Sequence, residues 1–302
     1  MIEYKNTPAT AFQSIADYPF QSFFKTIEDG MQVHYIDEGQ KDAEVVLMMH
    51  GEPSWSYLYR HMIPTLVDMG YRCIAPDLIG FGKSSKPVHQ ADYTYARHVD
   101  WMLDWLDQID VSDITLFCQD WGGLIGLRLV GDRSDRFARI ITSNTGLPTG
   151  DYTPPEAFIK WQKFSQTVDK FPFEKVMQGA TTSELSEATL AAYRAPFPDE
   201  SYTAGAKIFP SLVPTRPDDP ASQKNRDVWS NVLKQWNKPL LTLFGDKDPV
   251  TKGGEKVFHK LVPGATGQSH HTVVDGGHFI QEDKPAELVK HIHQFILSNP
   301  LT

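Results

Sequence analysis

Six short apolar runs recur along the chain with helix-patterned segments between them. They are VVLMM at 45–49, YRCIAP at 71–76, ITLFC at 114–118, RIITS at 139–143, PLLTLFG at 239–245 and HHTVVDGG at 270–277. Strands that are apolar on both faces need cover on both sides, and helices alternating with them supply it. The pattern predicts a buried, mostly parallel sheet, an α/β fold. Ahead of these runs, FFKTIEDGMQVHYIDEG at 23–39 alternates with period two about an Asp-Gly turn, which predicts an antiparallel hairpin at one edge.

Between 147 and 230 the rhythm changes. PTGDYTPPEAF and RAPFPDESY are Pro-rich breaks, and the segments 156–170, 183–194 and 223–236 carry helical patterning without a strand. The expected organisation is therefore one core, residues 1–146 and 231–302, with a helical lid, 147–230, inserted after the sixth strand. A chain of 302 residues, 40% hydrophobic and 22% charged, is long enough to bury such a core.

Several function classes drop out on composition. The formal charge is -9 and no Lys/Arg run makes a phosphate-binding stripe, so nucleic acid is not an expected partner. No apolar stretch approaches the roughly 20 residues of a membrane span, and MIEYKNTPATAF lacks the layout of a signal peptide. A cytoplasmic monomer is expected. Cys73 and Cys118 both fall inside apolar runs and read as small buried hydrophobes of a reducing compartment, not as a disulfide or a zinc site.

The segment FCQDWGGLIG at 117–126 places an acid and a tryptophan between a strand and a helix. This is the pattern of a nucleophile elbow, in which a strained turn flanked by small residues lifts one side chain above the sheet edge. Asp120 takes the nucleophile position, Cys118 stands where the first glycine of the motif usually falls, and Gly122 and Gly123 keep the far side open. By itself Asp120 could also be a helix N-cap. An elbow enzyme also needs an acid and then a histidine later in the chain. FGDKDPV after the seventh strand offers Asp248, fourth in G-x-x-D, with Asp246 as its rival, and VVDGGHF offers His278 on a loop before the final helix. His50 reads as a structural hydrogen-bonding residue, and His270 and His271 as part of a strand. Asp246 and Asp248 lack the further ligands of a calcium loop, so no metal is expected there. HGEPSW at 50–55 provides a tight turn whose Glu52 amide, with that of Trp121, would make a two-donor oxyanion hole. GFGKSS at 80–85 is half of a phosphate loop, but Asp77 stands where its first glycine belongs and would repel a phosphate.

With these residues in place the chain resembles the haloalkane dehalogenases of the α/β-hydrolase superfamily. HGEPSWSYLYR, IAPDLIGFGKSSKP, QDWGG, AAYRAPFPD and DGGHFIQED carry the resemblance over nearly the whole length. Asn144, not an acid, ends the sixth strand, which agrees with the branch whose catalytic acid follows the seventh. The resemblance implies Asp120 as nucleophile, His278 as base, Asp248 as its orienting acid, and a halide held between Trp121 and a lid tryptophan, Trp161. Phe158, Trp161 and Phe164 share a helix face, a stripe that on spacing alone reads as packing. The implied reaction turns a small halogenated alkane into a primary alcohol, halide and a proton with no cofactor. A small apolar pocket is expected, with Leu124, Phe158, Phe209, Pro210, Val250 and Phe279 as walls. The nearest rival is an epoxide hydrolase with the same triad, which would need lid tyrosines such as Tyr193 and Tyr202 to protonate the epoxide. A non-catalytic binding protein of this fold is a second rival.

Overall fold

The computed structural model describes residues 2–301; Met1 and Thr302, the outermost residues of the expected core, lie outside the described residues. Eight strands form one sheet: β1 Phe23–Thr26, β2 Gln32–Glu38, β3 Val45–Met49, β4 Arg72–Pro76, β5 Ile114–Gln119, β6 Phe137–Ser143, β7 Leu240–Gly245 and β8 His271–Val273. Their spatial order is β1-β2-β4-β3-β5-β6-β7-β8. From β4 to β8 every neighbouring pair is parallel, and β1 and β2 add an antiparallel edge about Gly30, as the Asp-Gly turn predicts. The last strand is shorter than its apolar run, because Asp275 turns the chain out of the sheet at φ +56°.

Alternation within the buried strands sorts their side chains onto two faces. Leu47, Met49, Leu116 and Cys118 pack in one apolar cluster with Trp105 and Ile125. Val46, Met48, Cys73 and Phe117 pack in another with Leu66 and Ile292. Those partners come from helices α1 Ile63–Asp68, α2 Tyr95–Ile109, α3 Trp121–Asp132 and α11 Pro285–Ser298. The helix α2 shows why its segment is helical: Thr94 caps the Arg97 amide, and Tyr95, His98, Val99, Met102, Trp105 and Leu106 recur at helical spacing on its buried face. The two cysteines lie in different clusters and are both free.

Between β6 and β7 the chain runs through α4 Glu156–Thr167, α5 Phe173–Gly179, α6 Glu187–Arg194, α7 Ala204–Leu212 and α8 Pro220–Asn231. Two of these, α5 and α7, fall outside the segments expected to be helical. The helix α7 carries Pro210 in its interior, where proline reads as a breaker. Helices α9 Glu255–Leu261 and α10 Ile280–Asp283 complete the set. No helix among the described residues is long and apolar enough to cross a membrane.

A buried ion pair fastens α6 to the body. Arg60 donates to both oxygens of Glu282 at 2.5 and 2.9 Å, each side chain being only 3% exposed, and the Tyr193 hydroxyl donates to the same carboxylate. Glu282→Ala would leave the Arg60 charge buried without a partner. Its unfolding free energy in urea is expected to fall by about 3–5 kcal/mol.

Candidate active site

The parallel strands end on one edge, and the loops that leave β3, β5, β6, β7 and β8 gather there. After β3 the chain moves outward to β4, then returns to the other side of β3 with β5. This reversal opens a crevice at the carboxyl ends of β3 and β5. Glu52 follows β3, and Asp120 follows β5.

Asp120 has φ +50° and ψ -124°, a conformation that costs a non-glycine residue about 1–3 kcal/mol. Neighbouring glycines make the turn possible. A Cβ on Gly122 would stand 2.0 Å from the Met49 carbonyl oxygen, and one on Gly51 would stand 2.4 Å from Asp120 Cβ. The Asp120 carboxylate caps no amide of α3, so the N-cap alternative does not apply. Its Oδ1 instead accepts the Glu52 amide at 2.8 Å. The Trp121 amide opens α3, where helix geometry leaves it without an intrahelical acceptor.

His278 Nε2 lies 3.5 Å from Asp120 Oδ2, and His278 Nδ1 lies 3.0 Å from Asp248 Oδ2. Asp248 is fully buried and also accepts the Val250 amide at 2.8 Å and the Thr251 hydroxyl. Burial pushes its pKa up, but His278 and these two donors outweigh that and hold it below the usual carboxylate range. The rival Asp246 binds the Asp275 amide at 2.7 Å and Lys247 at 3.0 Å, tying the β7 loop to the β8 loop. For His278 burial lowers the pKa, yet the Asp248 and Asp120 carboxylates prevail and raise it well above its ordinary value.

Three groups at the site are not marked by any motif as site residues. Gln119 places its amide nitrogen 3.2 Å from both His278 Nε2 and the His278 carbonyl. Asn144 donates to the carbonyls of Gly277 and His278 at 2.8 and 2.9 Å and accepts the Gly245 amide at 2.8 Å, clamping three loops. The Glu52 side chain, read only for its amide, is 4% exposed and its Oε1 has no hydrogen-bond partner. Burial, then the Asp120 charge, push its pKa well up, against weaker opposition from His278 and the nearby Trp161 indole.

The cavity above Asp120 measures about 1170 Å³, so the expectation of a small pocket is corrected. Its inner part is apolar, and it continues outward to a rim with Lys234, Lys252 and Lys256. Leu124, Phe158, Pro210, Val250 and Phe279 line it, as do both Trp121 and Trp161. Phe209 does not. It is fully buried one layer back, its ring 4.6 Å from that of Trp121. The stripe on α4 divides: Phe158 and Trp161 face the cavity, while Phe164 stacks on Trp161 at 5.7 Å and is 38% exposed. Trp121 lines the cavity, and its indole N–H makes no hydrogen bond among the described residues. Of the lid tyrosines the epoxide reading needs, Tyr193 is committed to Glu282 and Tyr202 lies under Lys5, both away from the cavity. Tyr152 does reach the cavity, but at its rim and 85% exposed. GFGKSS folds inward on Asp77, which accepts the amides of Ser56 at 2.8 Å and Lys83 at 2.7 Å and faces His34.

Residues 44–285 match the alpha/beta hydrolase fold family. A haloalkane dehalogenase of Psychrobacter cryohalolentis is 53% identical over 97% of this chain and 98% of its own. One from Mycobacterium marinum is 45% identical over 95% and 97%. Among solved structures, a tetrameric haloalkane dehalogenase of Paraglaciecola agarilytica NO2 covers all of both chains at 32% identity and a TM-score of 0.91.

The Glu52 carboxyl supplies a stability test. Its folded pKa lies above its unfolded one, so its contribution is complete at pH below the unfolded value and is lost as pH rises through the folded value. Glu52→Gln keeps the amide and the shape but removes the titration. Urea unfolding at mildly acidic and mildly alkaline pH should show the variant gaining stability relative to the parent as pH rises.

Proposed function

The chain belongs to the haloalkane dehalogenases of the alpha/beta hydrolase fold and hydrolyses carbon–halide bonds; on that premise we propose that Asp120, His278 and Asp248 carry the reaction, with Trp121 and Trp161 holding the halide. The observation that carries this reading is the pairing at Asp120: one carboxylate oxygen on the Glu52 amide, the other 3.5 Å from His278 Nε2, both under an apolar cavity.

Each oxygen then has its own task. Oδ2 attacks the carbon that bears the halogen, and an alkyl ester of Asp120 forms as halide leaves. An ionised carboxylate needs no base for this step. Halide departs toward the indole N–H groups of Trp121 and Trp161, which donate without the strong ion pairing of a Lys or Arg. His278, oriented by Asp248, next takes a proton from water, which adds to the ester carbon. The oxyanion develops on Oδ1, already facing the Glu52 amide, and the Trp121 amide is the second proposed donor. Alcohol, halide and a proton leave.

The helices of residues 147–230 serve in this reading as a lid over the cavity. The two buried free thiols are consistent with the cytoplasmic setting we propose.

The covalent step has a direct test. His278→Phe, exposed to 1-bromobutane, should gain one butyl group by intact-protein mass spectrometry, whereas the parent should release bromide and acid continuously. The added mass should vanish when Asp120→Ala is combined with it. An inactive His278→Phe protein that stays unmodified would count against the aspartyl ester, and turnover of an epoxide in preference to bromoalkanes would favour the rival chemistry.

The halide role of Trp161 is tested by Trp161→Phe, which keeps the ring and deletes the donor. A lost hydrogen bond to a charged partner is worth about 1.5–3 kcal/mol. Saturable bromide quenching of intrinsic fluorescence should weaken, and carbon–halogen cleavage should slow, by roughly ten- to hundredfold. Parent-like values would reduce Trp161 to packing.

A further inference from the structure

Away from the cavity, at the free edge of the sheet, His271, Glu287 and His291 bring their ligand atoms within 4.8 Å of one another. His271 opens the edge strand β8. Glu287 and His291 stand four residues apart on α11, a spacing that puts both on one helix face. His271 Nε2 is 2.7 Å from Glu287 Oε1, and the imidazoles of His271 and His291 stack at 4.1 Å with 24° between their planes. All three side chains are half-buried, and none lines the active-site cavity. A simple ion pair accounts for His271 and Glu287 alone. It gives no reason for a second imidazole against the first, an arrangement that protonation of both rings would oppose.

We infer that His271, Glu287 and His291 form a binding site for a divalent transition-metal ion, Zn2+ or its neighbours Ni2+ and Co2+. Two neutral imidazoles and a carboxylate are the donor set such ions take, and they disfavour Ca2+ and Mg2+, which prefer all-oxygen cages. Ligand atoms about 2.0–2.2 Å from a tetrahedral ion lie about 3.4 Å apart. The widest separation, 4.8 Å, must therefore close by about 1.4 Å, and the His271–Glu287 pair at 2.7 Å must open by about 0.7 Å, both by side-chain rotation at a half-buried surface. Water would take the fourth position. The bound ion would tie β8 to α11, just ahead of the loop that carries His278.

Titration calorimetry of the full chain with ZnCl2, alongside thermal unfolding, tests the site. The expected result is saturable binding of one equivalent. At a hundredfold excess of free Zn2+ over Kd, the folded state alone binding the ion, Tm should rise by about 4–8 °C. His271→Ala and His291→Ala should each weaken binding by at least the roughly ten- to hundredfold that losing a supporting partner of a ligand costs. Both positions are half-buried, and circular dichroism checks that the variants fold. The nearby pair His259 and His270, with rings 3.9 Å apart, is the control. Substituting both with Ala should leave the affinity unchanged. Absence of saturable binding in the parent, or undiminished binding in the His271→Ala/His291→Ala double variant, would overturn the assignment.

Discussion

The turn at Asp120 is the constraint on which the site depends. A side chain held at φ +50° at the end of β5 stays there only if its surroundings leave it no alternative. They do so by close approach: Gly122 lies against the β3 carbonyl at Met49, and Gly51 lies against Asp120 itself. The Asp120 amide is held by the Asn144 carbonyl at 3.1 Å, and its carbonyl by the Thr145 hydroxyl at 2.7 Å. Strain in one residue is thereby shared among the ends of three neighbouring strands. Shifting any of them by an ångström would misplace the carboxylate against the Glu52 amide.

Three buried carboxyl groups in and near this crevice meet different fates because their partners differ. Asp248 has a histidine, a hydroxyl and an amide, and stays charged. Asp77 has His34, His50 and backbone amides, which outweigh its burial and likewise hold it charged. Glu52 has no donor on Oε1 and faces the Asp120 charge, so it is pushed toward the neutral form. Burial is common to all three, and the count of donors separates them. The direction of the Glu52 shift lessens the negative charge beside Asp120, which on the proposed mechanism would otherwise repel the departing halide.

The sheet was legible in the sequence because its strands are apolar on both faces and interrupted by helices. The loop positions at its edge followed from the order of the motifs, and the structure places Asp248 in contact with His278, which agrees with the role proposed for it. What escaped was set by tertiary contact. The interior Pro210 disguised α7, since its missing amide reads as a stop unless packing compensates. Phe209, its neighbour, was expected on the cavity wall, but helical geometry turns it inward behind Trp121. Gln119 and Glu52 lie inside QDWGG and HGEPSW, but nothing in those motifs assigns their side chains a place at the site. Nothing near them in sequence reveals that a loop some 160 residues away will cover Gln119. The cavity's extent likewise depends on how far α4 and α8 stand off the sheet edge, a distance no periodicity records.

The upward shift of the His278 pKa owes part of its size to Asp120. Asp248 faces one ring nitrogen and Asp120 the other, and both carboxylates favour the protonated ring. On the proposed mechanism, esterification erases one of those carboxylates, because an alkyl ester carries no charge. The support for the proton on the Nε2 side then disappears at the moment when water must be deprotonated there. On that mechanism the site contains its own clock: the covalent step itself makes His278 a better base, because the ester removes a charge that favoured its protonated form.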